Sequence, residues 1–344
     1  IMLENTVTAY LRYFPRTFIF CYHRVIPQAI AIEQLVHSAL YVTPETFESQ
    51  IKWMMRHGRI ITSDELYQPT THTRFMVTFD DGWRDNFTYA VPILRKYKIA
   101  STFFVTTKNI DDREHFWTDN IGLLVADALK LHSQEHIIKI MRNIILNIVS
   151  EYKVQGTCNL NEKTRDIYHI LHVFIECLKQ LPVKDRQLAC LSLCKELKID
   201  YHNSGDNHLL TWSEIQSMAE EHHKFGSHTH THSLLDQVEN ASIDYEISQS
   251  KRILEKRLAQ DINAFSYPNG NYANPYIQGS LRRHGFKYAF ILRARAFHYD
   301  ERYLIPRCIL FEKNAASLDR YFLRYLSVWK IRSLLKKMAR NKCI

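Results

Sequence analysis

The chain has 344 residues, of which 46% are hydrophobic and 24% are charged, and its formal net charge is +9. This length allows one large domain or two ordinary ones, and the composition is that of a soluble globular protein. With only nine glycines and nine prolines and no internal repeat, a low-complexity or repeat protein is excluded.

The first hundred residues alternate strands and helices. Thr43 and Pro44 open one helix as its N-cap and first residue, and Gly58 ends it. A strand, a helix and a strand at this spacing form a parallel βαβ unit, so we predict an α/β fold. The predicted elements here are strands at 18–22, 74–79 and 100–105 and helices at 44–56 and 86–97.

Long helical patterns replace this alternation in the middle of the chain, at 121–151 and 162–197. We therefore predict a helical insertion at 108–207 within one catalytic domain, formed by residues 1–107 and 208–318. The alternation then resumes, with helices predicted at 212–221 and 243–258 and a third through residue 281, and strands predicted into 226–228 and at 264–267, 288–292 and 304–311.

The seven cysteines are scattered, odd in number and without a CxxC pair. This pattern indicates neither a disulfide framework nor a cysteine-ligated zinc, and it favours free thiols in a reducing compartment. The N-terminal region has no apolar stretch of signal-peptide length, and no stretch is apolar enough to span a membrane. We therefore expect a cytoplasmic protein.

The positive charge is concentrated at the C-terminus. Residues 319–344 carry eight lysines and arginines against one aspartate, interleaved with aromatic and aliphatic side chains. One interpretation is a basic amphipathic helix that holds the protein at the anionic inner face of a membrane. The alternative is a solvated terminal helix that packs on the domain. Nucleic acid is not an expected partner, because the charge does not surround a reading motif.

Two clusters of polar residues follow predicted strands. Asp80 and Asp81 end one strand and precede a glycine turn, and three histidines, His228, His230 and His232, lie within five residues after another. Aspartate and histidine are ligands for a divalent metal that polarises a carbonyl and activates water. Either cluster alone is also compatible with a helix cap or a solvated loop, but the two together favour a metal site.

Three segments resemble the motifs of the polysaccharide deacetylases (NodB-type, carbohydrate esterase family four), and they come in the family's order. They are Phe-Asp-Asp-Gly-Trp at 79–83 with Ser-Thr-Phe-Phe-Val at 101–105, Ser-His-Thr-His-Thr-His at 227–232, and Phe-Ser-Tyr-Pro-Asn-Gly at 265–270. The resemblance implies a distorted (β/α) barrel with fewer than eight strands and a divalent metal, commonly zinc.

Carried over position by position, the resemblance assigns Asp81, His228 and His232 to the metal and Asp80 to the general base. His230 lies between the two ligand positions, so we expect its side chain to point elsewhere. The family's late Leu-x-His motif, which supplies a general acid, is missing. Tyr22-His23 instead resembles the opening motif of a permuted subgroup that includes poly-N-acetylglucosamine deacetylases, and this implies that His23 is the acid; the alternative is a core histidine.

The third motif departs from the common family pattern. Ser266 stands where many members have an arginine that orients the base, and we predict that Arg307 or Arg24 supplies the missing guanidinium. The resemblance places the substrate and its developing oxyanion at Tyr267, Pro268 and the backbone N–H of Asn269. Trp83, Trp117 and Trp212 are candidates for stacking on sugar rings, although core packing is the commoner use of such residues.

The sequence thus predicts a metal-dependent hydrolase that removes N-acetyl groups from a GlcNAc-type glycan or sugar conjugate and releases acetate. Three alternatives remain open at this point. One is a non-catalytic glycan-binding protein on a deacetylase scaffold. The second is a partner-recruiting protein that keeps the metal site as a remnant, and the third is an amidase that acts on a non-sugar amide.

Overall fold

The computed structural model describes residues 7–8, 10–12, 16–152, 165–199, 208–270, 274–293, 297, 302–315 and 317–322. The chain divides into two compact units. One consists of residues 1–26, 38–113 and 208–344, and the other of residues 27–37 and 114–207. Each unit encloses its own buried hydrophobic cluster, so each has a core of its own.

Seven parallel strands close into a barrel in the first unit. The barrel strands are β1 (Thr17–Tyr22), β5 (Arg74–Phe79), β6 (Thr102–Val105), β7 (Lys224–Ser227), β8 (Ala264–Ser266), β9 (Tyr288–Leu292) and β10 (Ile305–Ile309). Around the barrel the order is β1, β10, β9, β8, β7, β6 and β5, and β5 pairs again with β1. This confirms the expected distorted (β/α) barrel with fewer than eight strands.

Three short strands lie outside this ring. A strand at Arg59–Ile61 (β4) pairs with the beginning of β5, and Arg24–Val25 (β2) pairs with Tyr41–Val42 (β3) as a separate parallel ribbon. None of the three is predicted from the sequence, because two or three residues are too few to show a hydrophobic period.

Side chains alternate across each barrel strand. On β1 and β5, Phe18, Phe20, Phe75 and Val77 belong to the large core cluster, whereas the residues between them face a second, smaller cluster. That smaller cluster fills the barrel with the apolar side chains of Ile19, Met76, Phe104, Ala264, Phe290 and Ile305. Two residues further along the strands stand the buried side chains of Cys21, Thr78, Ser266 and Arg307. A polar layer therefore lies above an apolar plug, towards the carboxyl ends of the strands.

The helices of the barrel unit begin and end at recognisable signals. The hydroxyl of Thr43 accepts a hydrogen bond from the backbone N–H of Thr46 at 3.2 Å, as predicted for an N-cap, and the helix ends before Gly58. These helices are Pro44–His57, Val91–Lys96 after a π-helical turn at Asn86–Ala90, Thr107–Asp112, Trp212–Glu220, Asn240–Leu258, Pro275–Arg283 and Glu312–Ala315.

The second unit is helical throughout its described part, with helices Gln28–Glu33, Trp117–Leu131, Gln134–Tyr152, Ile167–Leu178 and Val183–Leu197. The two long helices expected from the sequence are each divided. Ser133 accepts a hydrogen bond from the backbone N–H of His136 and starts a new helix, and Pro182, which lacks an N–H, precedes another. No helix within the described ranges is both long and apolar enough to cross a membrane.

The cysteines agree only in part with the sequence analysis. Cys21, Cys190, Cys194 and Cys308 are buried thiols, but Cys177 is disulfide-bonded, so the expectation of thiols throughout is wrong for Cys177. Of the basic segment 319–344, residues 323–344 lie outside the described residues, and its membrane role stays a prediction.

Candidate active site

Asp80 and Arg307 form a buried ion pair at the carboxyl ends of the strands. The Nη1 and Nη2 atoms of Arg307 donate to the two carboxylate oxygens of Asp80 at 2.7 and 2.6 Å, and both side chains are almost completely buried. Burial alone would raise the pKa of Asp80, but the charges of Arg307 and His228 outweigh it and hold that pKa below its usual range. Asp80 is therefore an ionised carboxylate in a fixed orientation.

Ser266, Thr78 and Cys21 complete the surroundings of this pair. Arg307 also donates to the hydroxyls of Ser266 at 2.7 Å and Thr78 at 3.0 Å, and the Ser266 hydroxyl donates to Asp80 at 3.2 Å. The Cys21 thiol lies 3.5 Å from the same carboxylate. The small side chain of Ser266 leaves room for a guanidinium that arrives from β10. The sequence identified Arg307 correctly as one of two candidates for this guanidinium.

Asp81 has very different surroundings. Its Oδ1 atom lies 3.3 Å from Nε2 of His228 and 3.4 Å from Nε2 of His232, and its Oδ2 accepts a hydrogen bond from the Trp83 indole at 3.0 Å. Nδ1 of His228 is 2.8 Å from the carbonyl oxygen of Ser266. A carbonyl can only accept, so Nδ1 carries a proton, and Nε2 is the ring nitrogen that would ligate a metal.

These three residues fit a divalent metal. One ligand atom from each of Asp81, His228 and His232 lies within 4.8 Å of the others. Two imidazole nitrogens and one carboxylate oxygen form a donor set that suits zinc and leaves further positions open for water and substrate. Burial would raise the pKa of Asp81, but hydrogen bonds from the two histidines bring it well below the usual range, so it is ready to ligate as an anion.

The backbone at the ligand set is unusual. Asp81, Thr229 and His232 have φ values of 75°, 67° and 59°, in the left-handed region that side chains other than glycine rarely adopt. Such residues cost about 1–3 kcal/mol each and persist only where the surroundings fix them. The strain thus falls on two of the three residues that would hold the metal and on the residue next to the third.

Glu246 fixes the histidine loop, and the sequence analysis missed it. Its carboxylate accepts hydrogen bonds from the backbone N–H groups of His230 and Thr231, both at 2.8 Å, and from the Thr231 hydroxyl at 2.6 Å. The His230 ring turns away and its Nδ1 meets the hydroxyl of Thr107 at 2.8 Å, as expected for a histidine outside the ligand set. A carboxylate on the following helix gives no local signal, because only the fold brings it under this loop.

His23 follows β1 and belongs to the same face as Asp80. Cys21, His23 and Asp80 each offer a ligand-type atom within 4.8 Å of the others, so the His23 ring is close to the base candidate. Its backbone carbonyl accepts a hydrogen bond from the side chain of Asn86 at 3.0 Å. Its closeness to Asp80 agrees with a proton donor at this site, and that role stays a prediction.

The third motif forms the adjoining turn. Asn269 is exposed and has φ 53°, whereas Pro268 and Tyr267 are buried. The Tyr267 hydroxyl donates to the carbonyl of Tyr303 at 3.1 Å, so it supports the turn rather than reaching for substrate. The oxyanion role of the Asn269 N–H stays a prediction.

Two assignments from the sequence are corrected. Arg24 does not accompany Asp80: it forms a buried pair with Asp85 at 2.6 Å. Trp83 is only 2% exposed and donates to Asp81, so it is not a ring on which a sugar can stack. Trp212 is half-buried and lies under the guanidinium of Arg257.

Trp117 belongs to the helical unit. It is half-buried, and the guanidinium of Arg186 lies 4.4 Å from its ring. Its use in stacking on a sugar stays a prediction.

The chain belongs to the polysaccharide deacetylase family. The model of that family matches residues 67–141 and 140–289, which include both aspartates, the histidine loop and the third motif.

Relatives with known names match over shorter segments. The Bacillus subtilis protein YxkH is 27% identical over 109 residues, which cover 29% of this chain and 39% of that protein. The poly-beta-1,6-N-acetyl-D-glucosamine N-deacetylase of Staphylococcus aureus is 33% identical over 95 residues, which cover 26% of this chain and 32% of that enzyme. The matches thus span less than half the length of these relatives.

Solved structures share the fold over nearly the whole chain. The deacetylase PplD from Streptococcus pyogenes aligns with a TM-score of 0.55 at 16% identity, over 90% of this chain and 97% of its own. IcaB from Ammonifex degensii aligns with the same TM-score and identity, over 89% of this chain and 97% of its own. At this identity the likeness concerns the fold alone.

Proposed function

We propose that the chain is a metal-dependent N-deacetylase that hydrolyses the acetamido group of a GlcNAc-type residue, releasing acetate and leaving a free amine. The observation that carries the proposal is the different environment of two adjacent carboxylates. Asp80 is fixed by a buried arginine, and Asp81 faces two imidazole nitrogens. Neighbouring titratable side chains that take different roles because their surroundings differ are typical of acid–base catalysis.

Asp81, His228 and His232 would hold the divalent metal, which when bound polarises the acetyl carbonyl and lowers the pKa of water. Asp80 accepts the proton of the attacking water, because it is ionised and its orientation is fixed by Arg307. Arg307 itself is a positioning residue, since it is buried beneath the carboxylate rather than exposed to substrate.

His23 donates a proton to the departing nitrogen, so that the C–N bond breaks to an amine and not to an amide anion. Water supplies the hydroxyl of the new acetate and the proton first taken by Asp80. The backbone N–H of Asn269 donates to the carbonyl oxygen as negative charge develops there. The turn conformation at Asn269 and the closeness of His23 to Asp80 support these placements.

A β-1,6-linked polymer of N-acetylglucosamine is the substrate to test first. The named activity of the Staphylococcus aureus relative points to it, and the matching segment is only 26% of this chain. We further propose that the basic segment 319–344 serves a substrate presented at an anionic surface. Cosedimentation with anionic vesicles, with and without the residues after Asp319, tests this.

The function is tested by measuring acetate and free amines released from β-1,6- and β-1,4-linked GlcNAc oligomers. We expect release that disappears on chelation and returns with added zinc. Asp80→Asn should reduce kcat by a factor of about 10²–10⁴, the usual contribution of a general base. Asp64→Asn, at an exposed aspartate, is the matched control and should keep full activity. Full activity in Asp80→Asn would contradict the proposal.

A further inference from the structure

Trp83 has a buried polar group that the reaction itself does not use. Its ring is 2% exposed, and its Nε1–H donates to Oδ2 of Asp81 at 3.0 Å. An indole can only donate, so Oδ2 of Asp81 is the acceptor in this contact.

The two oxygens of the Asp81 carboxylate have different partners. Oδ1 faces Nε2 of His228 and Nε2 of His232, at 3.3 and 3.4 Å, whereas Oδ2 is held by the indole. Oδ1 is thus the oxygen on the side of the two histidines. One oxygen is therefore available to a metal, and the other is committed to the protein.

Trp83 is itself held firmly. The guanidinium of Arg24 lies 4.5 Å from the centre of its ring, a distance at which a cation is attracted to an aromatic face. Asp85 fixes Arg24 through its Oδ2 at 2.6 Å and accepts from the backbone N–H of Val25 through Oδ1 at 3.0 Å. Arg24 and Asp85 are thus buried beside the site and support Trp83, although they do not pair with Asp80.

We propose that Trp83 is a positioning residue that makes Asp81 a one-oxygen ligand and thereby sets the affinity of the site for its metal. The inference rests on the proposed metal site and names a determinant within it. Phenylalanine or tyrosine at this position would fill much of the same space but could not place an N–H on Oδ2. The indole nitrogen is the feature that matters.

The test is the Trp83→Phe variant, which keeps an aromatic ring and removes the N–H. Metal-free protein is titrated with zinc in competition with a chromophoric chelator, and with cobalt, whose visible spectrum reports its coordination. We expect zinc to bind about 10–100-fold more weakly than to the unchanged protein, as for other residues that orient a metal ligand, and the cobalt spectrum to change. Trp212→Phe is the control, because its indole donates to Asp111, outside the ligand set, and it should bind as the unchanged protein does.

A second measurement does not depend on the folding of a variant. A crystal structure of the zinc-loaded unchanged protein should show one carboxylate oxygen of Asp81 on the metal rather than two. Equal zinc affinity and equal cobalt spectra in Trp83→Phe, or two Asp81 oxygens on the metal, would overturn the proposal for Trp83 alone. Failure of the unchanged protein to bind zinc or cobalt would overturn the proposed function as well, so the two outcomes are distinguishable.

Discussion

Removal of the Arg307 guanidinium should destabilise the barrel strongly. In Arg307→Met the side-chain volume is largely kept, but Asp80 becomes a buried carboxylate without its cation. Breaking a buried ion pair by deleting one partner costs about 3–5 kcal/mol, because the remaining charge stays desolvated. For a domain of the barrel unit's size, about 2–4 °C is lost per kcal/mol, so we expect the Tm to fall by about 6–20 °C.

The assay is calorimetry of the single and double variants. If the cost comes from the unpaired charge, adding Asp80→Asn to Arg307→Met should recover part of the lost stability, and the double-mutant cycle should give a large coupling energy. Arg95→Met is the control, because it breaks an exposed ion pair with Glu221 and should cost about 1 kcal/mol or less. A Tm of Arg307→Met within 2 °C of the unchanged protein, or simple additivity in the double variant, would refute this reasoning.

Three further predictions concern other parts of the barrel unit. Glu246→Gln should weaken zinc binding about tenfold or more, because the loop between the two histidines loses its anionic acceptor. Glu239→Gln, on the same segment, should leave zinc binding unchanged, and isothermal titration measures the zinc affinity of both variants. Gly226→Ala should cost about 1–3 kcal/mol in urea denaturation, because the new methyl would meet a phenylalanine ring at 2.5 Å and a strand carbonyl at 2.8 Å; an unchanged midpoint would contradict the packing. His223 is buried and neutral, and burial lowers its pKa to about 4. Stability from this group is complete above its unfolded pKa of about 6.5 and is lost as the pH falls towards 4, so His223→Gln should flatten the stability profile in that window and His72→Gln, at an exposed site, should not.

Much of the barrel is predictable from the sequence because its strands are buried on both faces. Runs such as 18–22 and 75–77 show continuous apolar character, and Thr43-Pro44 and Gly58 mark a helix by local rules. The grouping of Asp81 with the histidine loop is also predictable from the sequence, because each of them stands directly after a strand. Parallel strands bring their carboxyl ends together, and this brings the two motifs into one site.

What could not be predicted depends on contacts between distant segments. The choice between Arg24 and Arg307 as partner of Asp80 is decided by strand pairing, because β10 lies beside β1 and β1 lies beside β5. Glu246 accepts hydrogen bonds from a loop that lies 15 and 16 residues before it in the chain, so no local pattern signals it. Trp83 is of a residue type that often stacks on sugar rings. Only the structure shows that it is buried and donates a hydrogen bond to Asp81 instead.

The central claim is the division of labour between Asp80 and Asp81, and one paired measurement tests it most directly. Bound zinc and acetate release are determined on the same preparations of the unchanged protein, Asp80→Asn and Asp81→Asn. We predict that the unchanged protein holds zinc and releases acetate, that Asp80→Asn holds zinc without releasing acetate, and that Asp81→Asn loses both. Acetate release by Asp80→Asn, or zinc retained with unchanged affinity by Asp81→Asn, would contradict the account.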